Sequence, residues 1–335
     1  MIYLLLLLVA PLCAAVAYTM WRARQTSRLF KPDGSLVTVD GVRLHYHFFA
    51  AGEGRPEKPV LVFLHGASGN ACDAMLAFLE RFRGQYPLLF VDRPGLGFSE
   101  RSGSGQDTPE GQARLIAGLL AVLEIRSAMV IGHSYGGAVA AALGLAARDR
   151  VKGLAFLAPV SHPWPGGVSW YYTVAALPVI GKLFCWTLTL PIAERLAPAA
   201  IANVFHPDRP PEGYAEAIKL PRLFRPDVFG ANARDIATLR RAVAVQSKQY
   251  PSLKQPALIV TGTDDTVVWP SIHCEGLLKD LPNAELLVLN GAGHMPHHTH
   301  TEEIATALER LVCRVVGAAG DDALSATPER KSVPA

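Results

Sequence analysis

Six runs of four or five apolar residues recur along this chain: VLVFL at 60–64, LLFV at 88–91, AMVI at 128–131, LAFL at 154–157, ALIV at 257–260 and LLVL at 286–289. Each is too uniformly apolar for a strand with one wet face and too short for a helix. Such runs belong to parallel strands buried on both sides. Helical patterns fall between them, at 71–82, 136–146, 271–281 and 301–316. Another begins at Thr108-Pro109-Glu110, an N-cap with a first-turn Pro and acid, and runs to about residue 125. Asp40-Gly41 between β-rich segments is a hairpin signal. The alternation predicts an α/β fold with a doubly wound, mostly parallel sheet. One interval breaks the rhythm. Residues 163–253 are Pro-containing and helical in character, and we expect them to form a cap over the C-terminal edge of the sheet.

Composition removes several classes. Apolar residues make up 50% and charged residues 18%, which excludes a disordered chain. Of the 32 Lys and Arg, Arg22, Arg24, Arg28 and Lys31 stand together, leaving 28 against 29 Asp and Glu. The rest of the chain is nearly neutral, so no nucleic-acid surface is expected. The five Cys form no CxxC pair and suggest neither a disulfide framework nor a zinc site.

The N-terminus carries its own signal. Residues 2–21 hold no charge and as a helix would span ~30 Å, the depth of a bilayer core. We expect 1–30 to form a membrane anchor with a basic juxtamembrane segment. The four cations after it place the main domain, 31–317, in the cytoplasm. The competing reading is a signal peptide cleaved near Ala15-Val16-Ala17, with export of the enzyme, although no Lys or Arg precedes the apolar run. Residues 318–335 read as a disordered tail.

Gly132-His133-Ser134-Tyr135-Gly136 follows AMVI directly and opens a helix. This is the strand–turn–helix setting of a nucleophile elbow, rather than an ordinary glycine-rich turn with a capping Ser. The turn is too tight for side chains beside the Ser. It lifts the hydroxyl to a helix N-terminus, which favours developing negative charge.

With LHG at 64–66, DRPGLGFS at 92–99, GTDDTVV at 262–268 and GAGHMPHH at 291–298, the chain resembles the α/β-hydrolase superfamily over about residues 35–316. The order nucleophile, acid, base is that of the superfamily. The resemblance implies Ser134 as nucleophile and His294 as base, with Asp265 as the acid that orients the imidazole. The G-x-x-D-x-V-V pattern selects Asp265 and leaves Asp264 in a solvated loop. An acid after the preceding strand is closed off, because residues 158–162 (APVSH) hold no carboxylate. The oxyanion hole would use the N–H groups of Tyr135 and Ala67, with His65 and Gly66 shaping the turn and Asp92 and Arg93 bracing its neighbour. His45 and His47 read as structural. Thr299 stands near the position where relatives often carry Glu.

His294, His297, His298 and His300 cluster, but no carboxylate or Cys pattern accompanies them, so no metal and no cofactor are expected. Ser at 134 rules out the alkyl-ester route of the Asp-nucleophile dehalogenases and epoxide hydrolases. The expected function is a serine hydrolase acting on a small lipophilic ester through an acyl-enzyme. Carbon–carbon bond hydrolysis, perhydrolysis, or a non-catalytic receptor on the same fold stay open. Residues 167–181 and 183–193 carry no charge and include Trp170, Tyr171, Tyr172, Phe184 and Trp186. A membrane crossing there would separate Ser134 from Asp265 and His294. The segment therefore either packs over the pocket or dips into the membrane interface, as in membrane-bound monoacylglycerol lipases of this fold.

Overall fold

The computed structural model describes residues 2–53 and 58–325, with side chains at 10–53 and 58–317. Strands β1 (Ser35–Val39) and β2 (Val42–Phe49) form the expected hairpin. Its turn residues Asp40 and Gly41 have φ of 49° and 77°, the geometry of a tight two-residue hairpin loop. Six strands follow: β3 (Val60–Leu64), β4 (Leu88–Val91), β5 (Ala128–His133), β6 (Val151–Leu157), β7 (Ala257–Gly262) and β8 (Ala284–Leu289). The sheet order is β1-β2-β4-β3-β5-β6-β7-β8, parallel from β4 onward, with β2 antiparallel to β4.

The helices are α1 (Ile2–Leu29), α2 (Ala71–Phe82), α3 (Pro109–Val122), α4 (Tyr135–Ala146), α5 (Trp170–Ala176), α6 (Ile180–Phe184), α7 (Leu190–Phe205), α8 (Tyr214–Ala217), α9 (Pro226–Gln246), α10 (Pro270–Asp280), α11 (Pro296–Thr299) and α12 (Thr301–Ser325). The central strands β3 to β7 are buried on both faces, whereas β1 and β8 at the sheet edges are partly exposed, β8 in spite of its apolar run, and the pleat sorts the buried side chains between two cores. Val60, Val62 and Leu64 of β3 join Ala128 and Val130 of β5 in a core with α3 and α4. Leu61, Phe63, Met129 and Ile131 point the other way, onto Phe78, Leu308 and Leu311 of α2 and α12. This is the doubly wound sheet expected from the apolar runs. Strands β5 and β6 exceed their apolar runs, by two residues at the C-terminal end of β5 and three at the N-terminal end of β6.

Helices α5 to α9 lie between β6 and β7, within the interval expected to insert. Helix α1 does not end at the apolar run but continues through the arginines, and its C-terminal half packs on the insertion. Tyr18 Oη and Arg22 Nε donate to Glu194 of α7 at 2.7 and 2.8 Å, and Arg225 donates to Ser27. The expected anchor at 2–21 falls partly on residues 2–9, whose side chains lie outside those described. Among the described residues no single helix is long and apolar enough to cross a membrane. The insertion segments Trp170–Ala176 and Ile180–Phe205 reach that apolar length only together, bent by 115°. The expected tail begins within α12. Its side chains from 318, and all of 326–335, lie outside the described residues.

Candidate active site

Strand β5 ends at His133 and α4 starts at Tyr135, so the chain must reverse its course at Ser134 alone. Ser134 does so at φ 51° and ψ −117°, a strained conformation costing about 1–3 kcal/mol that the surroundings must hold. Backbone groups on three sides do this. The Ser134 N–H donates to Leu157 O at 3.0 Å, and its carbonyl accepts from Gly137 and Val160 at 2.9 and 3.0 Å. The flanking glycines are a steric requirement. A Cβ at Gly132 would lie 2.2 Å from Gly136 O, and one at Gly136 would lie 2.2 Å from Leu64 O.

The loops after β7 and β8 meet because Gly262 lets them. A Cβ there would strike Ala292 O at 2.0 Å. This close approach brings His294 between the other two residues. Its Nε2 lies 3.1 Å from Ser134 Oγ, and its Nδ1 lies 2.8 Å from Asp265 Oδ2. Asp265 Oδ1 accepts the N–H groups of Val267 and Val268 at 2.8 and 2.9 Å. An ionised carboxylate only accepts, so the hydrogen-bond network assigns the proton to His294 Nδ1. Nε2 is then left as acceptor for the Ser134 hydroxyl. All three side chains are buried. Asp264 sits apart, exposed, against Thr263 Oγ1.

The turn at 65–67 lies against the nucleophile: a Cβ on Gly66 would come 3.1 Å from Ser134 Cβ. Its carbonyls are gripped from behind. Arg93 Nε donates to His65 O at 2.8 Å and a terminal nitrogen donates to Gly66 O at 2.9 Å. The same guanidinium pairs with Asp235 of α9 at 3.0 Å. Next in the turn, Ser68 donates its N–H to Asn232 Oδ1, also on α9, at 2.7 Å. Burial and the neighbouring Arg93 push the His65 imidazole down to about 3, so it stays neutral. Its Nε2 accepts the Arg93 N–H at 3.0 Å. Arg93 thus fixes the peptide planes of this turn through their carbonyls. The Tyr135 N–H, first in α4, has no partner within the helix. Asp92 braces the neighbouring turn by accepting from Ala71 N and Phe98 N, and His45 Nδ1 sits 2.8 Å from its Oδ2.

The histidine cluster after His294 has a carboxylate that sequence spacing does not reveal. Asp73 of α2, buried, lies 3.1 Å from His297 Nε2 and 2.9 Å from His298 Nε2, and accepts from Tyr214 Oη at 2.8 Å. Burial alone would raise the Asp73 carboxyl. His297 and His298 outweigh it and hold the carboxyl well below the usual range. The donor atoms of Asp73, His297 and His298 lie close enough together to share a metal ion, as do those of Asp33, His45 and His47. In the first group three donors already saturate one anion, and the arrangement ties α2 and α8 to the segment carrying the base. His133 does the same from the other side. Its Nε2 donates to His294 O at 2.9 Å, and burial keeps the ring neutral. His133, Asp73, Asn232 and Asp235 were not singled out by sequence reasoning, since each acts on a partner far away in the chain.

With this geometry in place, the comparisons with known proteins carry weight. Residues 61–307 match the alpha/beta hydrolase family. The chain is 29% identical over 281 residues to a 2-hydroxy-6-oxononadienedioate/2-hydroxy-6-oxononatrienedioate hydrolase of Paraburkholderia phymatum, covering 79% of this chain and 90% of that one. It is 26% identical over 264 residues to a pimeloyl-[acyl-carrier protein] methyl ester esterase of Xanthomonas oryzae, covering 77% and 96%. Among solved structures, the enol-lactonase from Burkholderia xenovorans superposes with a TM-score of 0.68 at 21% identity, over 83% of this chain and all of that one.

Proposed function

The chain belongs to the alpha/beta hydrolase family and is a hydrolase; within that family we propose that it is a serine hydrolase cleaving carboxylic esters of lipophilic substrates. The observation that carries this reading is the hydrogen-bonded line from Ser134 Oγ through His294 to Asp265. Ser134 Oγ attacks the ester carbonyl as His294 Nε2 takes its proton. The N–H groups of Ala67 and Tyr135 receive the charge that develops on the carbonyl oxygen. His294 then returns the proton to the departing alcohol, leaving an acyl group on Ser134. Water, deprotonated by the same imidazole, releases the acid. Residues 31–317 are the catalytic domain, and the insertion at 163–253 is its cap.

A second reading is hydrolysis of a carbon–carbon bond by the same three residues. The Paraburkholderia relative, a hydrolase of hydroxy-oxo dienedioates, favours it, whereas the methyl ester esterase favours the first. A panel separates them. On the ester reading, kcat/KM rises from nitrophenyl acetate to nitrophenyl esters of about eight carbons, as each buried methylene contributes ~0.8 kcal/mol. A 2-hydroxy-6-oxo-dienoate is then not turned over. Efficient cleavage of the dienoate with weak ester turnover would reverse the assignment.

The reading extends to the membrane. Val179, at 79% exposed, and Trp170, at 69%, stand with Ile180 and Leu183 on the outer surface of the insertion. Helix α1 docks on that insertion with Trp21, Arg24 and Arg28 exposed. Exposed apolar residues on the insertion and exposed cations on α1 together suit an anionic bilayer surface, with the N-terminal segment as anchor and the catalytic domain on the cytoplasmic side. The expected result is that full-length protein floats with anionic vesicles, and that a Trp170→Ser, Ile180→Ser, Leu183→Ser variant floats several-fold less. Unchanged flotation of the variant would remove the insertion from the contact.

A further inference from the structure

A cavity of about 620 Å³ opens between the insertion and the segment after β4, and its lining includes none of Ser134, Asp265 or His294. Its inner wall holds Arg222, only 8% exposed. Two arginine side chains nearby, Arg93 and Arg101, share one carboxylate, Asp235, at 3.0 and 2.6 Å. Arg222 makes no such pair. Among the described residues no carboxylate lies within ion-pair distance of it, and its Nε has no hydrogen-bond partner. It gives one bond, to Gly97 O at 2.6 Å, and stacks 3.5 Å above the Phe98 ring. Asp92 and Asp227 act on this guanidinium only from beyond ion-pair distance, so a buried cation here has room for a direct bond from a ligand's anion.

The rest of the lining agrees. Lys182 and Arg234 border the same cavity and make no ion pair among the described residues. The two acids on its wall are already engaged, Glu100 by Arg43 and Asp227 by Arg225. Burial, reinforced by Arg225, pushes the Arg222 guanidinium down to about 10, so it remains charged at neutral pH. The lining also has an apolar part, with Leu177, Pro178 and Trp186 on the segment that carries Lys182 and the exposed Val179 and Ile180.

We propose that this cavity binds the anionic head of an amphiphile, a carboxylate or phosphate on Arg222, Lys182 and Arg234, with its chain against Leu177 and Trp186. The site is separate from the ester-cleaving residues and stands whether or not Ser134 is a nucleophile. Calorimetry on the full chain tests it with octyl phosphate, octanoate, octanol and inorganic phosphate. The first two are expected to bind with one site per chain, and octanol and inorganic phosphate at least tenfold more weakly. Arg222→Met should weaken both anionic ligands roughly tenfold to a hundredfold, the range for a lost charge-assisted bond. Lys182→Gln and Arg234→Gln, at the exposed rim, should each weaken them several-fold, and they carry the test if Arg222→Met does not fold. Tighter binding of octyl phosphate points to a lipid headgroup, and tighter binding of octanoate to a released acyl product. Octanol binding as well as octanoate, or unchanged affinity in the variants, overturns the proposal, as does inorganic phosphate binding as tightly as octyl phosphate.

Discussion

Ser134→Ala is expected to abolish ester turnover, lowering kcat by on the order of 10⁶-fold, and to abolish labelling by a fluorophosphonate. The size follows from what is lost. The hydroxyl 3.1 Å from His294 Nε2 is the atom that would form the acyl bond, and no other hydroxyl bonds to that imidazole nitrogen among the described residues. The fold should survive. Alanine keeps the Cβ that the elbow already accommodates at φ 51°, and the hydrogen bonds that pin the turn are made by backbone atoms. Thermal unfolding of the variant should therefore stay close to that of the parent while activity disappears. Near-normal turnover by the variant would remove Ser134 from the mechanism. A parent protein that neither labels nor turns over any ester would favour the silent receptor.

The sheet was legible in the sequence because its central strands are buried on both faces. That burial demands unbroken apolar runs, and a run such as VLVFL has few other uses. The tight turn at Ser134 was legible for a related reason. The elbow needs small residues at 132 and 136, because a Cβ at either would lie 2.2 Å from a backbone oxygen. What supports the site was not legible. Asp73 meets His297 and His298 across more than 220 residues of chain, and Arg93 meets Asp235 across 142. Neither partner carries a local pattern, and a single sequence gives no means of pairing them. The histidine cluster thus looked like a set of loop residues without an acid, whereas the fold delivers one from α2. In the N-terminal helix the sequence marked a basic segment after the apolar run but not its partner: Arg22 pairs with Glu194, and the helix continues along the insertion.

These supports share a direction. Asn232 and Asp235 both belong to α9, the long helix of the insertion, and both act on the turn that contributes Ala67. The insertion is thus joined to the catalytic sheet through buried polar contacts rather than resting on it through apolar surface alone. Such contacts hold a fixed geometry, since breaking one strands a buried donor or charge. The insertion thereby carries exposed apolar residues on its outer surface while its inner side is held rigidly against the sheet.

Asp265→Asn should cost on the order of 10⁴-fold in kcat, whereas Asp264→Asn should change it by no more than a few-fold. In the parent, Asp265 Oδ1 accepts two backbone N–H groups while Oδ2 faces His294 Nδ1 at 2.8 Å. An asparagine at 265 has one oxygen, and the N–H groups of Val267 and Val268 will claim it. Its NH₂ group must then point at His294 Nδ1, which can meet a donor only by giving up its own proton. The imidazole shifts to the tautomer protonated at Nε2, and that nitrogen can no longer accept the Ser134 proton. Stability should change little, because both backbone bonds survive. The Asp264 side chain is exposed and, among the described residues, bonds only to Thr263 Oγ1, so its amide variant leaves the line to Ser134 intact. The check is kcat for a nitrophenyl ester in both variants with thermal unfolding alongside. A large loss in Asp264→Asn with a small one in Asp265→Asn would mean that the acid has been assigned to the wrong residue.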